Sequence, residues 1–242
     1  MSTEQIIAVV VIIAVAAVTS AVAGFAFGLM SVPALAMVVP THQAVVVSSV
    51  IGIAVSAIQT VQWNRDAVRP LVWRMFWPAV IAMPLGYWIF LTIDERWLKL
   101  SLGIAVLIAV VLLIRHIDLR HAGRRLDYTA GFLSGVLNTS LSTNGPPLVF
   151  ALQARRLEPD QFRGTLVTIF ALSNLVSVPL FIASGKATGD NLLAALFAVP
   201  GLLGGLWVGG RIRPRVNAVQ FRWVVIVLLI AAGISSVATA LA

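Results

Sequence analysis

Between Tyr128 and Pro147 an otherwise hydrocarbon-rich chain turns polar. Gly131, Ser134, Gly135, Asn138, Thr139, Ser140, Ser142, Thr143, Asn144 and Gly145-Pro146-Pro147 all fall in this stretch. Gly and Pro disfavour helix interiors, and Ser, Thr and Asn compete for backbone hydrogen bonds. Inside a bilayer such a segment persists only where protein or a water-filled cavity satisfies its backbone. Gly145-Pro146-Pro147 can start a helix, because proline is tolerated in the first turn, with Asn144 or Gly145 as the cap. A helix start presents N–H groups and the positive end of the dipole, which suit an anion. Ser142, Thr143 and Asn144 add side-chain donors. The competing reading is a Ser/Gly-lined helix contact of the kind common in membrane bundles. We read the run as a substrate site.

Other polar residues extend this set. Ser31-Val32-Pro33 offers a similar helix start earlier in the chain, a plain proline kink being the alternative. Ser48, Ser49 and Ser56 fall in one apolar span, and Thr165, Thr168, Ser173 and Asn174 in another. Ser49 and Thr168 correspond at an offset of 119 residues. Taken singly, Ser and Thr are packing residues, whereas Gln59 and Asn174 cost more to bury and are expected to line a pathway. Arg163 follows Pro159-Asp160-Gln161-Phe162 at a span start, where it either draws in an anion or snorkels to the interface. Arg74 is read as a snorkelling anchor. The candidate binding residues are therefore Ser31, Pro33, Ser49, Gln59, Ser142, Thr143, Asn144, Gly145, Pro146, Arg163, Thr168 and Asn174.

Several chemistries are not expected. No Asp or Glu falls within an expected span, Asp94, Glu95 and Asp190 being assigned to loops, so a carboxylate proton relay or cation site is not evident. His42 has no acidic partner nearby in sequence, which leaves no nucleophile–base–acid set and no expectation of an enzyme. The chain has no Cys and 3 His, of which His116 and His121 sit in an Arg-rich loop. Neither a metal site nor any other cofactor is expected.

The elements that position these residues follow from composition. Of 242 residues 60% are hydrophobic and 11% charged, and the mean hydropathy is +0.98. A soluble domain of this length could not hide that surface, so the chain is expected to be an all-α polytopic membrane protein. Ile6 to Val18 resembles a secretory h-region, but Met1-Ser-Thr-Glu4-Gln5 carries no positive n-region, so a retained helix is expected. Apolar segments run over 5–39, 42–62, 70–92, 96–115, 127–153, 161–184, 189–212 and 220–241. The first is too long for one crossing and the fifth is broken.

The halves resemble one another. Gly24-Phe25-x-x-Gly28 matches Gly131-Phe132-x-x-Gly135 at an offset of 107. Pro40 matches Pro159, and Ala79-Val80…Gly86-x-Trp88 matches Ala198-Val199…Gly205-x-Trp207, at an offset of 119. Arg96-Trp97 recurs as Arg222-Trp223. The change of offset predicts a 12-residue insertion between Gly135 and Pro159. Fourteen of the 17 basic residues fall in four clusters, 65–74, 115–125, 155–163 and 211–222, which are assigned to the cytoplasm. Only Arg96, Lys99 and Lys186 remain for the other face. Threading the chain through these sides makes 127–153 a hairpin from the cytoplasm and 5–39 a hairpin from outside. The expected organisation is a first repeat over 1–115, a linker over 116–126 and a second repeat over 127–242. Each repeat is a broken hairpin followed by three transmembrane helices, and the two are inverted, as in many secondary transporters. Expected partners are a small anion and the bilayer. A homodimer stays open, and nucleic acid is not expected, because the +8 charge falls in short clusters between apolar runs.

Gly24…Gly28…Pro33, with Gly131-x-x-x-Gly135…Asn144-Gly145-Pro146-Pro147…Arg163-Gly164-Thr165, resembles the TauE/SafE sulfite-exporter family over nearly the whole chain. The resemblance implies a permease of the bacterial inner membrane that exports sulfite or small organosulfonates. The family's glycine-rich motif is thinner here, with Phe25, Phe27, Leu29 and Met30 in one copy and Asn138-Thr139-Ser140 in the other. Competing expectations are an anion channel and, further off, a membrane-bound enzyme or assembly partner.

Overall fold

The computed structural model describes residues 3–114, 123–153, 155, 157–215 and 218–241. Expectations resting on Arg115, His116, Arg120, His121 and Arg156, and on 116–122 of the linker, lie outside them. Among the described residues there are ten α-helices and no strand. They are α1 Thr3–Ala23, α2 Phe27–Leu35, α3 Thr41–Trp63, α4 Arg69–Thr92, α5 Glu95–Ile114, α6 Arg124–Leu141, α7 Gly145–Gln153, α8 Pro159–Ala183, α9 Gly189–Ile212 and α10 Ala218–Leu241. Six of them (α1, α3, α4, α8, α9 and α10) are long and apolar enough to cross a membrane.

Local signals explain where the helices start and stop. Proline in the first turn opens α4 and α8, where its missing N–H is no loss. Gly24, at φ +86°, breaks the apolar run between α1 and α2, in a conformation that other residues adopt only at a cost. The start of α3 is capped from elsewhere: the Glu95 carboxylate accepts from the Thr41 N–H and, at 2.8 Å, bonds the His42 ring through Nδ1. His42 thus has the acidic partner that its sequence neighbourhood lacks, and the pair joins α3 to α5.

Helix pairing repeats itself between the halves. α1 lies on α9 and α6 on α4, each in parallel, while α3 with α8 and α5 with α10 form the remaining major pairs. Exchanging the first five helices for the last five converts these pairs into one another. α3 and α8 run antiparallel: Thr60 Oγ1 donates to the Val167 carbonyl at 3.1 Å and Asn174 Nδ2 to Ser56 Oγ at 3.3 Å. α5 and α10 are antiparallel as well, with Arg96 Nε donating to the Ala240 carbonyl at 2.9 Å. Small residues permit these approaches. A Cβ on Gly131 or Gly135 would fall 2.2 or 2.1 Å from the carbonyl oxygens of Met75 and Ala79 in α4.

The glycine match at offset 107 pairs unlike places. Gly24 is at the α1–α2 break, whereas Gly131 and Gly135 are within α6 against α4. The breaks themselves, 24–26 and 142–144, are 118 residues apart, close to the 119 found elsewhere. The structure therefore has no need of the 12-residue insertion. Glycine recurs for two physical reasons, a positive φ at Gly24 and close packing at Gly28, Gly131 and Gly135.

α1–α2 and α6–α7 are hairpins that enter from opposite ends of the bundle. The first closes where Gln5 Nε2 donates to the Val38 carbonyl at 3.3 Å. The second closes where Arg155 bonds Asp127 at 2.7 Å and the Gly123 carbonyl at 3.0 Å. Asp127, the first residue of the apolar segment 127–153, is fully buried in the first turn of α6, with Arg74 3.7 Å away. Arg74 is thus more than a lipid anchor. The hairpin tips meet where Gly28 packs on the Ser142 carbonyl.

Candidate functional site

The second tip is built by a deliberate chain reversal. α6 ends at Leu141, and Ser142 takes the left-handed conformation at φ 52°, ψ 30°. Its N–H donates to the Asn138 carbonyl at 3.0 Å and that of Thr143 to the Leu137 carbonyl at 3.2 Å, closing the helix end. A non-glycine residue in this region costs roughly 1–2 kcal/mol. The Ser142 hydroxyl is held by Ser49 Oγ at 3.0 Å, which fixes the tip to α3. α7 then starts at Gly145, and Pro146 and Pro147 remove two of the N–H groups that a helix start usually offers. The start of α2 lacks that defect, since its first intrahelical bond there is from Met30 to Ala26. The N–H groups of Phe27, Gly28 and Leu29 therefore have no acceptor within the helix.

These two helix starts share one cavity between the tips, α3 and α8. Its polar wall is Ser20, Ser48, Ser56, Gln59, Ser142, Thr143, Asn144 and Asn174, and no charged side chain among the described residues lines it. Phe25, Phe27 and Phe170 supply the apolar wall. Most of the polar atoms are already engaged. Asn138 Nδ2 donates to Asn174 Oδ1 at 3.3 Å, Asn174 Nδ2 to Ser56 Oγ, and Ser56 Oγ to the Gly52 carbonyl at 2.7 Å. Gln59 Nε2 donates to Ser20 Oγ at 3.1 Å. Two buried groups at the tip are not engaged: Thr143 Oγ1 and Asn144 Nδ2 have no hydrogen-bond partner among the described residues. Burying such groups costs about 1–3 kcal/mol each unless something accepts from them. A neutral cavity with spare donors and helix-dipole starts suits a small oxyanion better than a cation.

The structure brings Gln59, Ser142, Thr143, Asn144, Gly145 and Asn174 together on this wall. Ser49 stands directly behind Ser142, and Ser31 behind Ser48, to which its hydroxyl bonds at 2.7 Å. Four others are elsewhere. Pro33 is inside α2, six residues after its start, in the packed core rather than at a helix N-terminus. Thr168 bonds the Gly164 carbonyl of its own helix at 2.7 Å, which spends its hydroxyl on the turn below. Pro146 faces a separate apolar cavity with Phe25, Leu29 and Val149. Arg163 lines a third cavity nearer the basic end, which Gln59 also borders. Ser20, Gly52 and Phe170 are wall residues that sequence reasoning passed over, and Asn138, named in the polar run but not among the candidate binding residues, belongs to the network. The spacing of Ser48, Gly52, Ser56 and Gln59 by three or four residues marks one face of α3 and was a usable signal. Ser20, Asn138 and Phe170 carry no such pattern.

Fold and site together define a polytopic, all-α membrane protein with a donor-lined cavity where two broken hairpins meet. Within that class, residues 9–236 match the sulfite exporter TauE/SafE family model, and the chain belongs to this family. It is 26% identical over 156 residues to the "Probable inner membrane transporter protein TsaS" of Comamonas testosteroni, covering 62% of this chain and 64% of that one. It is 24% identical over 116 residues to the "Probable sulfite/organosulfonate exporter TauE" of Cupriavidus necator, covering 48% of this chain and 45% of that one. The chain thus spans under two thirds of the length of these relatives. No solved structure matches it significantly.

Proposed function

We propose that this protein is a secondary transporter exporting a small anion, of the sulfite or organosulfonate class, across the bacterial inner membrane. The observation that carries the reading is the pair of buried, unengaged donors, Thr143 Oγ1 and Asn144 Nδ2, on residues that line a cavity between two helix starts. The family and the names of its relatives support the substrate class. The basic end of the bundle, carrying Arg65, Arg69, Arg74, Arg155, Arg163 and Arg213, is the cytoplasmic end by the distribution of positive charge. The halves 1–115 and 127–242 are then inverted repeats. Antiparallel pairing of the equivalent helices α3 and α8, and of α5 and α10, supports this, because a repeat about an axis along the membrane normal would keep them parallel. With a negative interior, a leaving anion gains about 2.3 kcal/mol per charge per 100 mV, so export needs no coupled ion.

Flux of sulfite and methanesulfonate in proteoliposomes tests the proposal, together with binding to the purified chain. Asn144→Ala should weaken binding by roughly 1–3 kcal/mol, because it removes a donor to the ligand, and should leave the unfolding temperature near wild type. The fold loses no hydrogen bond from Nδ2 in that variant. A wild-type protein that neither binds nor moves these anions would sink the proposal, and unchanged binding by Asn144→Ala would remove that residue from the site.

A further inference from the structure

The third cavity differs from the neutral central one in being lined by two cationic side chains. It lies at the basic end, where the end of α3, the start of α8 and the end of α9 come together. Arg163 and Arg213 both line it, and each side chain is about three-quarters buried. Their guanidinium groups stack on one ring: Arg213 Cζ is 4.3 Å and Arg163 Cζ 5.9 Å from the centroid of Trp63. Gln62 and Gln59 complete the polar wall, and no carboxylate among the described residues lines it. Among the described residues Asp160 is the acidic group paired with them, 3.9 Å from each guanidinium and itself more than half exposed. Two fixed positive charges thus share one partly solvated negative charge, which leaves the cavity with a net demand for an anion. Gly24 is what lets Arg163 pack there, because a Cβ would come within 3.0 Å of Arg163 Cγ in a backbone at φ +86°.

The two cavities adjoin. Gln59 borders both, and its bond to Ser20 Oγ ties α3 to α1 at the partition. We infer that the Arg163–Arg213–Trp63 cavity is a second, inner station for a small oxyanion, feeding the central cavity across the Gln59–Ser20 partition. The inference rests on the exporter reading for its direction of travel, but not for its ligand chemistry. Two guanidinium forks over an indole face select a planar or pyramidal oxyanion by paired hydrogen bonds, where a lysine would offer only a point charge. Charge attracts the ligand at the inner station, and neutral donors hold it more loosely at the outer one. That order of affinities favours capture at the basic end and release beyond the central cavity.

The test uses the purified full chain with Trp63 as the reporter, its share of the fluorescence defined by Trp63→Phe. Sodium sulfite and sodium methanesulfonate are titrated at constant ionic strength. The expected result is a saturable change in the Trp63 signal, with a Kd raised at least tenfold in the Arg163→Gln, Arg213→Gln double variant. A Trp63 signal indifferent to both anions, or an unchanged Kd in the double variant, overturns the inner station. Should the double variant not fold, Arg213→Lys keeps the charge and loses the flat stack; a threefold or larger rise in Kd is expected, and a wild-type Kd overturns the inference. A response to phosphatidylglycerol in nanodiscs without any response to free sulfite also overturns it and assigns the arginines to lipid headgroups. Saturation of Trp63 by sulfite without flux in proteoliposomes supports the station and sinks the exporter reading. Flux with a silent Trp63 does the reverse.

Discussion

Replacing Gly28 by alanine tests the contact between the two hairpin tips most directly. A Cβ at position 28 would stand 2.1 Å from the Ser142 carbonyl oxygen and 3.3 Å from its carbonyl carbon. Both are backbone atoms in a close-packed interior and cannot rotate aside. One tip must therefore shift by about an ångström, and overpacking of this kind costs roughly 1–3 kcal/mol. Alanine returns up to about 1 kcal/mol in a helix interior, and less here, because Gly28 is only the second residue of α2. The net loss of about 1–2 kcal/mol should lower Tm by about 2–8 °C in a chain of this size. The effect on the ligand should be larger in proportion. Separating Thr143 and Asn144 from the start of α2 removes about one hydrogen bond to a bound anion, roughly 1.5 kcal/mol, or about tenfold in Kd. Calorimetric titration with sulfite and thermal unfolding read the two effects. Gly204→Ala is the control, since a Cβ there meets nothing within 4 Å and should leave both quantities near wild type. Wild-type Kd and Tm in Gly28→Ala would refute tip-to-tip contact in the binding-competent state.

Arg155→Ala should destabilise the chain by roughly 3 kcal/mol, read by thermal unfolding, because it strips the main partner from the fully buried Asp127. Arg155→Lys should recover part of that loss, and equal damage by both would count against a charge-based clasp. A single cysteine at Lys186 should react with an impermeant reagent from outside, and one at Arg65 only from the cytoplasm; labelling in the opposite sense would overturn the assigned topology. Anion flux should follow a potassium–valinomycin potential at fixed pH, because no carboxylate lines the central cavity. Flux of methanesulfonate that ignored the potential and tracked a pH gradient would instead direct attention to His42 with Glu95.

Much of the architecture was legible because hydrocarbon length and proline or glycine punctuation act locally. Pro40, Pro70 and Pro159 mark helix starts, and the polar run ending at Asn144 marks a break, whatever the rest of the chain does. Ser142 to Gly145 could be singled out for the same reason, since polar residues in a bilayer must be satisfied by something. The Gly24/Gly131 match misled because one letter serves two unrelated geometries, a left-handed break and a helix contact. Pro33 misled because a proline can be carried within a short helix as well as at its start.

The sequence by itself determined the class, the broken hairpins and the basic end, because burial in lipid and charge asymmetry are properties of composition and order along the chain. Only the tertiary structure decided which polar atoms remain free and which buried charges are matched. Thr168 is satisfied by its own helix while Asn144 Nδ2 is left unengaged, although both were candidate binding residues on paper. Glu95 meets His42 across 53 residues, and Asp127 meets Arg155 across 28. Arg213 joins Arg163 over Trp63 from a third helix end. Such pairings depend on distances of a few ångströms between segments remote in sequence, and hydrogen-bond and Coulomb energies fall away too quickly for periodicity or spacing to reveal them.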